Sequence, residues 1–129
     1  MLKIFFTILV SLFITSCAST NSANLPLPKD KVIIYDIKRK GCPACAYQER
    51  VLRVKEVKEL LDKYCKIIYV DINEQDKLPK EWMKTNKTPT VHFVDSKMHK
   101  LIPSIGSVQP YEFRDAILEA LKALKKDKI

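Results

Sequence analysis

The residues best suited to chemistry are two cysteines, Cys42 and Cys45, separated by Pro43 and Ala44. Such a pair can exchange electrons with disulfides, give two ligands to a metal, or close a small covalent loop. The last option stabilises little, because a bridge around two residues removes little freedom from the unfolded chain. A structural zinc site wants four ligands, usually arriving as two such pairs. Only Cys65, His92 and His99 could complete one here, and none has paired ligand spacing. Cu(I) on the two soft thiolates is the metal alternative. Exchange chemistry demands more of the surroundings: one thiol ionised and reachable, and a second close behind to finish the reaction.

The flanking residues meet that demand. Lys31 to Ile37 is an apolar, β-branched run that reads as a strand buried on both faces. The basic loop Lys38-Arg39-Lys40-Gly41 leads into Cys42, and Pro43 suits a first helical position. Val51, Val54, Val57, Leu60, Leu61 and Tyr64 then recur at helical spacing, which predicts one long helix. Cys42 therefore falls at a helix N-terminus, where unpaired N–H groups and the dipole favour thiolate. It is expected to be the exposed nucleophile, with Cys45 one turn deeper as the resolving thiol.

Further along, Ile67 to Val70 and Val91 to Val94 read as strands, and Leu78 to Thr85 as a short helix carrying Trp82 and Met83. After the turn Asp95–His99, Leu101 to Ile105 returns as a fourth strand, which Pro103 permits only at an edge or bulge. A last helix starts at Pro110, with the stripe Phe113, Ala116, Ile117, Ala120, Leu121 and Leu124. Its acids come early and its bases late, as the dipole prefers. The order β-α-β-α-β-β-α predicts an α/β fold with a four-stranded mixed sheet flanked by helices. Its first two strands are parallel across a helix, and its last two form a hairpin. Cys65, ending the first helical stripe, reads as a small buried hydrophobe, with a regulatory disulfide to the pair as the alternative. His92 reads as a satisfied strand histidine and His99 as a turn residue.

The N-terminus carries an address. Lys3 precedes the apolar run Ile4 to Ile14, too short for the roughly 20 residues of a membrane helix but right for a secretory leader. Ile14-Thr15-Ser16-Cys17 resembles the lipobox of bacterial lipoproteins. That resemblance implies a leader over 1–16 and a diacylglyceryl anchor on Cys17. Ala18, where an Asp would signal inner-membrane retention, favours the outer membrane in a cell with two. Residues 17–30 are small, polar and Pro-containing, and read as a flexible tether. Residues 31–129 are then one domain, large enough to bury a core. The net charge of +8 is spread over helices and loops without a nucleic-acid motif, so a solvated basic surface is expected and nucleic acid is not.

From Val32 to Leu124 the chain resembles a thioredoxin-fold thiol-disulfide oxidoreductase. The resemblance rests on the C-x-x-C, on Lys87-Thr88-Pro89-Thr90 before the third strand, on Asp36 six residues before Cys42, and on Gly106 before the last helix. It implies a cis peptide at Pro89 and a substrate groove lined by Thr88 and Pro89 together with Pro43 and Ala44. It also implies that Asp36 moves the proton of Cys45; an ion pair of Asp36 with Lys38 or Arg39 is the competing reading. The chain departs from thioredoxins at Gly41, where they carry Trp, and at Pro43-Ala44 in place of Gly-Pro. Tyr69 stands near the position of their second-strand lysine, and their N-terminal strand and helix are replaced by the tether. Thr88 is closer to periplasmic disulfide-handling relatives.

The expectation is a membrane-anchored enzyme of the periplasm or cell surface that exchanges disulfides with protein thiols, more as reductant than oxidant. It would act as a monomer and be recycled by a membrane or periplasmic redox partner. Its only redox group would be the Cys42–Cys45 disulfide, without bound metal or organic cofactor. The competing class is a lipoprotein that uses the pair to hold Cu(I) or dock a partner.

Overall fold

Strand β1, Val32–Lys38, is the centre of the sheet, and every residue from Val32 to Ile37 is buried. Strand β2, Cys65–Asp71, lies parallel to it in the register Val32↔Cys65 to Lys38↔Asp71. Strand β3, Thr90–Val94, runs antiparallel on the other side, pairing Tyr35 with His92. This computed structural model describes residues 27–126; the leader, Cys17 and the tether up to residue 26 lie outside the described residues. Leu27, inside the stretch read as tether, packs against the core.

The sheet has three strands among the described residues, not the four expected. The segment after the turn touches β3 at two isolated bridges, Val94↔Lys100 and Val91↔Ile105. Three steps along β3 are matched by five along the returning segment, so two residues bulge out around Pro103. Proline has no N–H to offer a ladder, and pairing resumes only when Ile105 and Val91 exchange bonds of 2.8 and 3.0 Å.

The expected long helix is two. Helix α1 spans Pro43–Arg53 and helix α2 spans Lys55–Tyr64, with extended backbone at Val54 between them. At about 100° per residue, an unbroken helix would point Val51 and Leu52 roughly 150° away from Val57 and Leu61. All four are buried in one cluster, and the break at Val54 resets the phase that allows it. Cys65 correspondingly opens β2 rather than closing a helix. The helix expected over Leu78 to Thr85 is also absent: only Glu81–Met83 forms a 3-10 turn, after another over Ile72–Lys77. A stretch this short, with Pro79 inside it, cannot recover the cost of helix nucleation.

Helix α3, Pro110–Lys126, packs with α1 and α2 on the face of the sheet that presents Val32 and Ile34. Phe93 from β3 and Phe113 from α3 meet there with ring centroids 5.8 Å apart. The other face, Ile33, Tyr35 and Ile37, is covered by Leu78, Met83 and Leu27 instead of by helices. His92 knits that cover together: its Nε2–H donates to the Met83 carbonyl at 2.7 Å, and Nδ1 accepts from Ser104 Oγ at 2.6 Å.

Candidate active site

The site forms where β1 hands over to α1. Gly41 has φ +72°, a left-handed conformation that costs a side-chain-bearing residue energy, and it turns the loop so that Cys42 caps α1. The Cys42 sulfur accepts the backbone N–H of Cys45 at 3.2 Å and the Thr88 hydroxyl at 3.5 Å. Hydrogen bonds from the Cys45 thiol and from Thr88 favour a charged sulfur, and the Arg39 cation adds to them, so Cys42 ionises below the ordinary thiol range. Cys45 moves the other way: burial, then the bond it gives Cys42, raises its pKa. The two thiols of one motif are therefore electrostatically unequal.

The expectation of an exposed Cys42 needs correction. Only 7% of it meets solvent, because the Thr88–Pro89 loop lies against it. It still lines an open groove of about 540 Å³, with Arg39, Lys40, Pro43, Cys45 and Tyr69 among the walls. The peptide between Thr88 and Pro89 is cis. The loop is held from behind: the Gln75 side chain bonds Thr85 N–H at 2.6 Å and Thr85 O at 2.8 Å, and Thr90 Oγ1 donates to Lys87 O at 2.6 Å. Gly106 closes against it, with the Pro89 carbonyl 3.6 Å from where a Cβ would stand. Thr88 and Pro89 thus flank Cys42 on one side. Pro43 belongs to the groove on the other, and Ala44 follows it on the first turn of α1.

Asp36 is 1% exposed on β1, on the helix-covered side with Cys45. Neither carboxylate oxygen has a hydrogen-bond partner among the described residues. Burial pushes its pKa up to about 6, against the opposing pull of Lys38, while Glu49 adds to the rise. The ion pair weighed for Asp36 is not what forms: Lys38 Nζ bonds Glu49 Oε1 at 2.9 Å and sits 4.1 Å from the Tyr69 ring centroid. Tyr69 pairs with Asp36 across the sheet, so Lys38, two residues along the same strand face, brings a cation to the neighbourhood from β1.

Sequence reasoning missed Glu49 and Gln48. Glu49 stands two helical turns after Cys42, a spacing that places both on one face of α1. Gln48, 1% exposed and without side-chain partners among the described residues, is a polar residue inside the buried stripe of α1. The candidate metal ligands do not assemble. Cys65 lies at the opposite end of the sheet, His92 is bonded as above, and His99 Nδ1 meets Asp95 at 3.0 Å in the turn. Among the described residues, no three His, Cys, Asp or Glu side chains converge in metal-binding geometry.

No family model matches the chain, and no curated protein does. Solved structures do. The chain is similar to the DsbH oxidoreductase with TM-score 0.61 and 18% identity, over 72% of this chain and 74% of that one. It is similar to the germline-specific thioredoxin Deadhead of Drosophila melanogaster with TM-score 0.56 and 17% identity, over 70% and 81%. A thioredoxin from Thermus thermophilus gives TM-score 0.54 and 22% identity, over 77% and 75%. The fold is that of thioredoxin.

Within the thioredoxin fold of this chain, Cys42 and Cys45 are both free thiols, and so is Cys65. Cys65 shares their chemistry but not their setting, since burial pushes its pKa up to about 12. The regulatory disulfide considered for it would have to span the length of β2.

Proposed function

We propose that this protein is a thiol-disulfide oxidoreductase acting on protein substrates outside the cytoplasm, tethered by a lipid on Cys17. The observation that carries the reading is the Cys42 sulfur at the cap of α1, accepting N–H and hydroxyl bonds that stabilise its thiolate. The Cys42 thiolate attacks a substrate disulfide, forming a mixed disulfide and releasing one substrate thiolate. Cys45 gives up its proton and attacks the Cys42 sulfur, which forms the Cys42–Cys45 disulfide and frees the second substrate thiol. Asp36, with its pKa raised to about 6, accepts that proton and returns it to solvent. Thr88, Pro89, Pro43 and Ala44 shape the groove that receives the substrate chain.

Two electrons pass to the substrate in each cycle, so a membrane or periplasmic thiol donor must return the pair to the dithiol. The reducing direction is favoured because no histidine lies between the cysteines to stabilise the thiolate further. Lipidation at Cys17 would hold the monomer at a bacterial membrane, the outer one where there are two. Among the described residues, no helix is long and apolar enough to cross a membrane. Replacing Cys42 by Ser is expected to abolish reduction of a protein disulfide, and Cys45→Ser to trap mixed disulfides. Stoichiometric copurifying Cu(I) with no turnover would replace this reading with the metal-binding one, and the reduction potential of the pair fixes its direction.

A further inference from the structure

The end of the sheet away from Cys42 gathers more lysines than acids. β1 and β2 begin there, paired Val32 to Cys65, and α2 and α3 both finish there. Two adjoining hollows mark this pole. One is lined by Lys31, Lys63, Tyr64 and Lys125 together with Asp30, the other by Lys29, Lys97 and Leu124 together with Asp95. With Lys126, these lysines come from the start of the domain, the turn after β3 and both helix ends. None of them has a carboxylate within ion-pair distance among the described residues. Of the nearby acids, Glu119 pairs with Lys122, and Asp95 is 8% exposed and turned inward to accept the backbone N–H groups of Lys97 and His99. Asp30 remains against six lysines.

Apolar surface lies among the charges. Tyr64 is 36% exposed with the Lys63 ammonium 5.2 Å from its ring centroid, and Leu118, 40% exposed, lines the neighbouring groove with Tyr64, Lys125, Asp115 and Glu119. Lysines mixed with a half-exposed tyrosine and leucine match a lipid interface, where ammonium groups meet phosphates and amphipathic rings sit at headgroup level. The cations span four elements, a breadth that suits a flat charged surface better than one small ligand. The chain also arrives here. Lys29 lines one hollow and Asp30 and Lys31 the other, and the apolar run ending at Ile14 lies fifteen residues before Lys29, within a reach of about 50 Å.

We propose that this pole docks on an anionic phospholipid bilayer, with Cys42 facing away from it. Cations near an anionic surface gain attraction that falls off within a Debye length, so the contact is salt-sensitive. The inference does not depend on disulfide exchange, and exchange activity serves only as a check on folding.

The test uses the full chain in vesicles of phosphatidylcholine alone or with about 30% phosphatidylglycerol. A pulse of lysine acetylation is read by mass spectrometry on the vesicle-bound fraction. Lys63, Lys97, Lys125 and Lys126 are expected to react about tenfold more slowly on the anionic vesicles, and to recover in about 1 M salt. Lys40 and Lys87, at the Cys42 end, should react equally on both. A Lys63→Glu, Lys125→Glu, Lys126→Glu variant should release Lys97 while reducing a soluble disulfide at the wild-type rate. Gln at the same three positions gives the same direction should charge reversal disturb folding. Equal reactivity on the two lipids overturns the proposal. So does protection in the absence of vesicles that grows with protein concentration, which would make the pole a contact between copies of this chain.

Discussion

Cys42 and Cys65 are equally covered, each 7% exposed, yet they lie at opposite ends of the sheet and ionise in opposite directions. Cys42 receives an N–H and a hydroxyl, whereas Cys65 opens β2 opposite Val32 with no side-chain hydrogen bond among the described residues. Burial alone raises a thiol pKa; donors aimed at the sulfur reverse that, and at Cys42 the first turn of α1 and the Thr88 hydroxyl supply them. Reactivity is thus a property of position along the strand and not of how much water reaches the sulfur.

The broadest test of this contrast is selective alkylation. At pH 7 a thiol titrating near 12 is thiolate in about one molecule in 10⁵, so Cys42 is expected to react with iodoacetamide at least about a thousandfold faster than Cys65. Comparable rates by peptide mapping would erase the distinction between the two ends.

Asp36 sharpens it next. Its folded pKa of about 6 lies above its unfolded value of 3.8, so the native state holds its proton more tightly. Below pH 3.8 the group is neutral in both states and contributes nothing. As pH rises from 3.8 to 6 stability is lost, and above 6 the loss is complete. Asp36→Asn is therefore expected to stabilise the protein by about 2–3 kcal/mol at pH 7.5 and by almost nothing at pH 3.5. Urea melts at the two pH values measure this. The same variant should slow release of mixed disulfides at Cys45 by about tenfold, with the pH dependence between 5 and 7 flattened.

Gly41→Ala probes the turn that delivers Cys42 to its cap. The φ of +72° penalises any side chain even though nothing stands within 4 Å of the new Cβ, so about 1 kcal/mol of stability should be lost. The smallest effect is expected from Thr88→Val, which removes one of the donors to the sulfur. The thiolate absorbance of Cys42 should then titrate at higher pH, and exchange at pH 7 should slow by about threefold. An unchanged titration would assign the shift to the Cys45 thiol, the helix cap and Arg39 without Thr88.

Much of this was readable in the residues, because the relevant signals are local. The apolar run at Val32 to Ile37, Pro43 at the start of a helix and the stripe of α3 each announce an element by themselves. The fourth strand was not, since Pro103 signals a bulge without saying whether pairing survives it. The break at Val54 was hidden because three- and four-residue spacing continues through it; only the phase of Val51 and Leu52 against Val57 and Leu61 betrays it. At the site, the cysteine pair stands out by its spacing and Asp36 only through the resemblance to thioredoxins, while the diversion of Lys38 to Glu49 has no signal in the sequence. That choice is made across eleven residues by geometry that no local pattern encodes.

Strand β1 connects the thiol pole to the lysine pole in seven residues, and at about 3.3 Å each it measures about 23 Å. For a molecule standing on a bilayer by its lysines, that strand is a fixed stilt. Any electron donor embedded in the same membrane would have to carry its own cysteines on a projection of comparable height to meet Cys42. A donor whose thiols sit level with the headgroups would never reach it.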